Sequence, residues 1–439
     1  MATAAASDRT TTEWLMRWRW WILVAAVLAQ IPNANMQYAW TLFPSHIVKD
    51  GLGKLSRVQE VFALFVLLET WLVPFDGWLV DRFGPRLLTI AGGALIGISW
   101  VAASTVQTLG GLLFWYGVVG GTGAGIIYGA TIATALKWFP DRRGLTAGLV
   151  AAGFGAGAAL SVAPIDNVIN HAGWRAAFFQ FGIIQGIIVI LAALFLAAPP
   201  EGFKVTAAAI AKRVSKNVRQ AAVDSTPAEM IRTPHFWVMY VMMVLVGGGG
   251  LMATAQLGPI AKSTGVDKVV VMWGLTALVL ALQIDRVLNG ITRPIWGWIS
   301  DHIGRENSMF IAFGIQGFAI LWLLSVLDKP VAFIIASGAA FFFWGEMYSL
   351  FPAMVGDMWG RKYAGTNYGL MYTAKGVASI WAGPLAAYMF EVQKGWHTVF
   401  VISAIANFVA ALVAILVLKR MPLRKPMITG QMAHALGGE

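Results

Sequence analysis

Long apolar runs separated by short polar breaks fill most of the chain, and this pattern predicts its secondary structure. A helix needs about 20 mainly apolar residues to cross the hydrocarbon core of a bilayer. The runs lie at about residues 20–43, 58–80, 87–107, 110–137, 143–170 and 174–198, then 236–262, 267–299, 307–326, 330–356, 363–390 and 396–418. We therefore predict an all-α membrane protein with twelve transmembrane helices, numbered spans 1–12 in chain order.

A polar segment separates the first six runs from the last six. It carries six Lys and Arg residues, which is typical of a loop that stays in the cytoplasm. The predicted organisation is a cytoplasmic N-tail at 1–19, an N-terminal six-helix bundle at 20–198, a cytoplasmic central loop at 199–235, a C-terminal six-helix bundle at 236–418 and a cytoplasmic C-tail at 419–439.

The distribution of basic residues predicts the orientation. With the N-terminus inside, 21 of the 32 Lys and Arg residues fall on the cytoplasmic side, 8 fall in the opposite loops and three lie within spans. Lys and Arg are enriched in cytoplasmic loops of membrane proteins. We expect both termini in the cytoplasm and the chain in a bacterial inner membrane. The net charge of +11 has the same origin and does not indicate nucleic-acid binding.

Composition excludes several other classes. Charged residues make up 12% of the chain, against about 25% in a soluble domain, so too few are present to cover a water-facing surface. The chain has no cysteine, and its six histidines lack ligand spacing, so we expect no disulfide, metal or cofactor. No nucleophile–base pair and no phosphate-binding G-x-x-x-x-G-K-[ST] motif is visible, which disfavours an enzyme or an ATP-driven pump.

Two segments of the first half recur in the second half at nearly one offset. Residues 77–84 recur as 297–304 at a shift of 220, with a glycine at each end and an aspartate between them. Residues 138–148 recur as 359–369 at a shift of 221, through one tryptophan and two glycines. A parallel duplication of six spans is typical of the major facilitator fold, whose halves rock about a site near the bilayer midplane.

The G-x-x-x-D-x-x-G segments resemble the motif that this family carries in loop 2–3 and its counterpart in loop 8–9. The resemblance implies that aspartate and arginine side chains latch helix ends together on the cytoplasmic side. The residues of this expected gate are Gly77, Asp81, Arg82, Gly297, Asp301 and Arg305. The alternative is that both segments are only tight basic turns.

Ionisable residues inside the apolar runs are the candidate site. A charge at the bilayer centre costs about 2.5–3.5 kcal/mol on insertion scales, so such residues usually mark a substrate or ion path. Arg286, Asn289 and Arg293 share one face of span 8, at i, i+3 and i+7. Lys375 lies in span 11. An arginine fork and a lysine point charge on different helices suit the two ends of a small dicarboxylate.

Aromatic and neutral polar residues are expected to line the same site, and acids lie near it. The aromatic set is Tyr38, Tyr128, Trp344, Tyr348, Tyr368 and Tyr372, with Asn33 and Gln37 as neutral donors. The acids within spans are Glu69, Asp76, Asp166, Asp285 and Glu346.

Several of these residues also have a structural interpretation. Arg286 beside Asp285 is equally consistent with a structural pair. Glu346 is expected to point away from Trp344 on a continuous helix, and Arg293 is near enough to a helix end to snorkel. Lys375 has no acid within a helical turn of its own span, which favours a role in binding.

At these residues the chain resembles the oxalate:formate antiporter family over nearly its whole length. The segments that carry the resemblance are QYAWTL from Gln37, GIIYG from Gly125, WFPDRRG from Trp138, NGITRP from Asn289, FWG from Phe343, YSLFP from Tyr348, and NYG from Asn367 leading to Ala374 and Lys375. The resemblance implies that Arg293 and Lys375 hold oxalate inside a cage of Trp344, Tyr348, Tyr38 and Tyr128. Two departures stand out. Tyr372 replaces a tryptophan of the family pattern, and four charged residues stand at uncharged positions: Glu69, Asp285, Arg286 and Glu346.

The first hypothesis is antiport of oxalate against formate by alternating access, by a monomer embedded in lipid. Exchange of a dianion for a monoanion moves charge and would respond to membrane potential. Lys375→Gln is expected to abolish it in a folded protein. The second hypothesis is a proton-coupled carrier of pyruvate, lactate or formate, with Glu346 or Glu69 as the proton site. A third is a sensor that binds the anion without transporting it.

Overall fold

The protein is described from a computed structural model that covers residues 2–139, 143–200, 203, 224–360 and 363–422. Most of the predicted central loop and the predicted C-tail beyond residue 422 lie outside the described residues. Within them the chain is almost entirely helical, and each of the twelve predicted apolar runs corresponds to one helix or to two or three consecutive helical segments.

The first six spans form the N-terminal half. Span 1 is Ala2–Tyr38, span 2 is Leu55–Trp71 with Val73–Phe83, span 3 is Pro85–Ala103, span 4 is Leu109–Leu112 with the π-helical Leu113–Gly120 and Gly121–Trp138, span 5 is Arg143–Gly157 with Ala158–Leu160 and Val162–Ala172, and span 6 is Trp174–Ala193. Two short helices, Trp40–Leu42 and Pro44–Lys49, lie in loop 1–2. The helix of span 1 begins inside the segment expected to be a tail, because alanine and other good helix formers continue into it.

The last six spans form the C-terminal half. A short helix at Pro227–Ile231 precedes span 7, which is Pro234–Thr264. Span 8 is Ala277–Ile303, span 9 is Arg305–Ser325, and span 10 is Pro330–Trp344 with Met347–Trp359. Span 11 is Ala364–Ile380 with the π-helical Trp381–Leu385 and Ala386–Gln393, and span 12 is His397–Leu416 followed by Leu418–Arg420. Span 8 begins later than predicted because loop 7–8 has structure of its own. A 3-10 turn at Val266–Lys268 leads into a β-hairpin, in which Val270–Met272 pairs antiparallel with Leu275–Thr276. The turn of the hairpin consists of Trp273 and Gly274, which both have positive φ.

Glycine closes the turn at two equivalent positions of the halves. Gly84 ends span 2 with φ 77° and ψ 156°, and Gly304 ends span 8 with φ 89° and ψ 153°. Residues with a Cβ rarely adopt these angles, whereas glycine does so readily. The next helix begins immediately after each of them. The two glycines are 220 residues apart, so the backbone repeats the duplication that the sequence carries.

The packing of the spans leaves spans 3, 6, 9 and 12 on the outside of the bundle. Span 3 packs on span 6 and, equivalently, span 9 packs on span 12. The two halves meet where span 2 contacts span 11 and where span 5 contacts span 8. Residues of spans 1, 2, 5, 8 and 11 therefore lie at the interface between the halves, where the candidate site was expected.

The outer surface of the bundle is apolar and its interior is partly polar, which is the arrangement that a bilayer demands. In span 6, Ile183, Ile187 and Leu191 are exposed on one face, whereas Gln185 and Val189 are buried. Among the described residues, nine helices are long and apolar enough to cross a membrane. Spans 1, 8 and 11 are the three that fall short of that measure, because they carry the polar residues of the interior.

Candidate functional site

Lys375 lies where span 11 meets span 2, and protein atoms use its ammonium group completely. Nζ donates to Gln37 Oε1 of span 1 at 2.6 Å and to the Tyr372 hydroxyl at 3.0 Å. It also lies 3.1 and 2.9 Å from the two carboxylate oxygens of Glu69 in span 2. Lys375 and Glu69 are both fully buried. Since an ammonium has three donors, none remains for another ligand in this state.

Arg293 of span 8 is the second central cation, and it has no carboxylate partner among the described residues. One guanidinium nitrogen donates to the carbonyl oxygen of Ala151 in span 5, while Nε has no hydrogen-bond partner in the part of the chain described. The guanidinium carbon lies 4.5 Å from the centroid of the Tyr348 ring. The ammonium of Lys375 lies 5.8 Å from the same centroid. Both cations therefore belong to one site between the halves.

Aromatic rings enclose the two cations. Tyr372 stacks on Tyr128 of span 4 with a centroid distance of 5.4 Å and planes 7° apart. Tyr348 meets Tyr372 edge-on at 6.1 Å, and Trp344 meets Tyr348 edge-on at 5.4 Å. None of these four residues is more than 6% exposed. The rings keep water away from the cations, which strengthens every charge contact that a ligand makes there.

Phe154 of span 5 completes the cage and is not among the site residues predicted from the sequence. Its ring packs 5.4 Å from Tyr38 and 5.5 Å from Tyr128, measured between centroids. The ammonium of Lys375 lies 5.5 Å from the same ring. A phenylalanine in an apolar span carries no signal that separates a site residue from a core residue.

The predicted face of span 8 points into the interior over its whole length. Asn289 donates to the Tyr38 hydroxyl at 3.1 Å. The guanidinium carbon of Arg286 lies 4.4 Å from the Tyr38 ring and 4.3 Å from the Phe341 ring. No ion pair joins Arg286 to Asp285 in the described chain. Neighbours at i and i+1 point to different sides of a helix, and Asp285 instead faces Gly338 of span 10.

Span 10 is interrupted beside this face of span 8. Its first helix ends at Trp344 and its second begins at Met347. A Cβ at Gly345 would stand 2.2 Å from the Thr292 side chain and 2.6 Å from that of Asn289, so only glycine permits the approach. Glu346, in the break, is fully buried and forms no ion pair within the described residues. The expectation that it points away from Trp344 assumed a continuous helix, which the structure does not have.

Hydrogen bonds close the interface between the halves at the end of the bundle that carries loops 1–2 and 7–8. The backbone N–H of Gly258 in span 7 donates to Thr41 Oγ1 at 2.7 Å. Gln59 of span 2 donates to the side-chain oxygen of Gln256 in span 7 at 3.2 Å. All four residues are buried, so the described parts of the two halves are packed together at this end of the central site.

His46 in loop 1–2 joins the same closure. Its Nε2 lies 3.1 Å from the ammonium of Lys262. Burial, together with the positive charges of Lys262 and Lys49, lowers the pKa of His46 to about 4. The ring is therefore neutral at physiological pH and accepts a hydrogen bond from the ammonium of Lys262. A protonated ring would place two cations in contact.

The expected gate motif joins helix ends within the C-terminal half. Arg305 of span 9 pairs with Asp301 of span 8 at 2.7 Å and with Asp357 of span 10 at 3.0 Å. Asp357 was not predicted, since it lies outside the repeated segment. Gly297, in the same segment, approaches Ser349 of span 10.

The corresponding region of the N-terminal half is less fully described. Arg82 lies over the rings of Trp78 and Phe83, at 5.5 and 5.6 Å from their centroids. Gly77 and Asp81 belong to the helix Val73–Phe83, but their side-chain surroundings lie outside the described part of the structure.

Comparison with known proteins agrees with this architecture. The sequence profile of the Major Facilitator Superfamily matches residues 22–284 and 243–434, which together span both halves. The oxalate:formate antiporter of Oxalobacter formigenes is 37% identical over 411 residues, covering 93% of this chain and 94% of that protein. More distant relatives include monocarboxylate transporter 13 of Bos taurus, at 22% identity over 88% of this chain and 86% of the relative. Apicoplast pyruvate carrier 1 of Toxoplasma gondii is 23% identical over 75% of this chain and 69% of the relative.

The family profile confirms the predicted fold class of twelve spans in two six-helix halves, and the predicted resemblance is confirmed as well. These relatives are named as an antiporter, a transporter and a carrier, and this chain has the apolar helices of a multi-pass membrane protein. The chain therefore belongs to the Major Facilitator Superfamily and, within it, to the family of the oxalate:formate antiporter.

Proposed function

We propose that this protein exchanges oxalate for formate across a membrane by alternating access. The observation that carries the proposal is the pair of buried cations, Arg293 and Lys375, which lie 4.5 and 5.8 Å from the centroid of the same Tyr348 ring. A guanidinium fork binds a planar carboxylate through two parallel hydrogen bonds, and an ammonium attracts a second carboxylate as a point charge. Oxalate offers two carboxylates joined directly and so presents one to each cation.

The position of the site suits transport better than static binding. Its residues come from both halves, so a rocking motion of one half against the other exposes it to each side in turn. The contacts between Thr41 and Gly258 and between Gln59 and Gln256 are among those that must break to open the loop 1–2 end. They are neutral hydrogen bonds, each contributing about 0.5–1.5 kcal/mol. Closure of this strength is compatible with repeated opening.

The proposed setting is the inner membrane of a bacterium, with both termini in the cytoplasm. The excess of Lys and Arg in the tails and in the loops that precede odd-numbered spans supports this orientation. In that orientation the loop 1–2 end faces away from the cytoplasm, and the Arg305 contacts lie on the cytoplasmic side. No enzymatic activity is included in the proposal.

The decisive experiment measures uptake of labelled oxalate into proteoliposomes loaded with oxalate, with formate or with buffer alone. Rapid uptake into both anion-loaded preparations, and little into buffer-loaded vesicles, is the expected result. Arg293→Gln serves as the control for the site, since it removes the fork without removing a residue from an ion pair. Equal uptake into all three preparations would show that the protein does not exchange anions.

The second candidate is a proton-coupled monocarboxylate carrier. It is favoured by Glu69, because the carboxylate that already occupies Lys375 leaves Arg293 as the cation against the Tyr348 ring for one substrate carboxylate. Uptake of labelled pyruvate or lactate that follows an imposed pH gradient, in vesicles that fail to exchange oxalate, would support this candidate over the first.

A further inference from the structure

Glu69 occupies the position on Lys375 that a substrate carboxylate would take. Both of its oxygens lie within 3.1 Å of the ammonium, and Gln37 and Tyr372 take the remaining donors. The protein therefore supplies its own anion to the lysine in this state. A substrate that binds Lys375 must first displace Glu69 or share the ammonium with it.

The net charge of the central site is zero in only two of its anion-bound states. With the adjacent buried charges of Arg286 and Asp285 opposing each other, Arg293, Lys375 and ionised Glu69 together carry +1, which one monoanion such as formate neutralises. An oxalate dianion in the same place leaves a net charge of −1, and a proton on Glu69 restores neutrality. Uncompensated charge is costly in a buried site, so the two bound states without net charge are strongly favoured.

We propose that Glu69 is a proton-binding site of this transporter, which is protonated when oxalate binds and ionised when formate binds. The inference rests on the proposed oxalate–formate exchange and adds a coupled ion to it. One oxalate and one proton then cross in one direction for each formate that crosses in the other. Two negative charges and one positive charge exchange for one negative charge, so no net charge moves. Exchange without Glu69 protonation would instead move one charge per cycle.

The surroundings of Glu69 contain one strong partner and several phenols. Lys375 is the group in contact with it, and the hydroxyls of Tyr38, Tyr128, Tyr348, Tyr368 and Tyr372, from spans 1, 4, 10 and 11, are near enough to interact with it electrostatically. The positive charge of Arg293 also repels that of Lys375. The nearest acid on its own span, Asp76, lies seven residues further on and packs on Gly129 of span 4. Among these groups Lys375 alone is both charged and in contact with Glu69, so its occupancy by substrate decides the proton on Glu69.

The test measures which gradient drives oxalate–formate exchange in proteoliposomes. For the native protein, an imposed difference of one pH unit is expected to shift the final oxalate distribution about tenfold. An imposed membrane potential should leave that distribution unchanged. For Glu69→Gln the two responses should be reversed, with about a tenfold shift for each 60 mV of potential and none for the pH difference. Glu69→Asp keeps a titratable group and should keep the response to pH.

Glu346→Gln is the matched control, because it makes the same change at another fully buried acid that forms no ion pair in the described residues. It should retain the response of the native protein to pH. Loss of that response in Glu346→Gln, or potential-driven exchange by the native protein, would overturn the assignment of the proton to Glu69.

A second measurement covers the case in which Glu69→Gln does not fold. Purified native protein in weak buffer with a pH indicator should take up one proton per oxalate bound and none per formate bound. Oxalate binding without proton uptake would contradict the proposal. Self-exchange of labelled oxalate moves neither net charge nor net protons, whatever Glu69 does. Its absence would therefore remove the proposed function, and the proton site with it, whereas its presence leaves the Glu69 test decisive.

Discussion

The two central cations differ in how far the protein already satisfies them. Lys375 has all three donors engaged and an acid in contact, whereas Arg293 has one backbone carbonyl and an aromatic ring. Arg293 can therefore bind a carboxylate in this state, whereas Lys375 can bind one only when Glu69 is displaced from it. The difference indicates that Arg293 provides basal affinity for an anion. Lys375, in contrast, links the identity of the bound anion to the protonation of Glu69.

The largest expected effect comes from separating Lys375 from Glu69. Lys375→Ala leaves a buried carboxylate without its partner, which costs about 3–5 kcal/mol of stability. Lys375→Ala combined with Glu69→Ala removes both charges and should recover most of that loss. Oxalate exchange should be absent from both variants. Thermal unfolding in detergent at alkaline pH, where an unpaired carboxyl stays ionised, measures the stability of each.

Equal stability of the single and double variants would mean that Glu69 does not bear a charge against Lys375. The same comparison changes the experiment suggested by the sequence alone, in which Lys375→Gln was the test of anion binding. Lys375→Gln by itself is not a clean test of binding, because the loss of transport would combine with the destabilisation that the unpaired Glu69 causes.

Substitution of Arg293 should weaken oxalate binding and leave the stability of the protein almost unchanged. Arg293→Lys keeps the charge and removes the fork, so one of two parallel hydrogen bonds to a carboxylate is lost. The KM for oxalate should rise about 10- to 100-fold, because a hydrogen bond to a charged group contributes about 1.5–3 kcal/mol. Thermal stability should change little, since no acid in the described chain pairs with Arg293. A loss of stability as large as that of Lys375→Ala would show that Arg293 has a structural counter-ion.

The fold and the cations of the site followed from the sequence for one physical reason. A bilayer requires continuous apolar helices, so each span is visible as a run, and any charge within a run is conspicuous. Arg293 and Lys375 were found in this way. The repeat at a shift of 220 also contains Gly84 and Gly304, which the structure places in equivalent turns.

The partners of those cations could not be predicted in the same way. Glu69 is 306 residues from Lys375 and lies in the other half, while reasoning from helical faces compares residues within one span only. The break in span 10 at Gly345 depends on the approach of span 8, and a glycine in an apolar run does not reveal what lies opposite it. The hairpin of loop 7–8 was taken as part of span 8, because its valines and methionine are as apolar as the helix that follows.

The smallest expected effects come from removing a single tyrosine hydroxyl, either beside Lys375 or beside Arg293. Tyr372→Phe removes an acceptor from Lys375, at 3.0 Å, while Tyr348→Phe removes a hydroxyl with no hydrogen-bond partner in the described residues. Both variants keep the aromatic ring and its contact with a cation. The initial rate of oxalate self-exchange, measured over a range of oxalate concentrations, should give up to a tenfold change in KM for Tyr372→Phe and less than twofold for Tyr348→Phe. If Tyr348→Phe has the larger effect, its hydroxyl binds oxalate directly, and the arginine side then contributes a neutral donor beside the guanidinium.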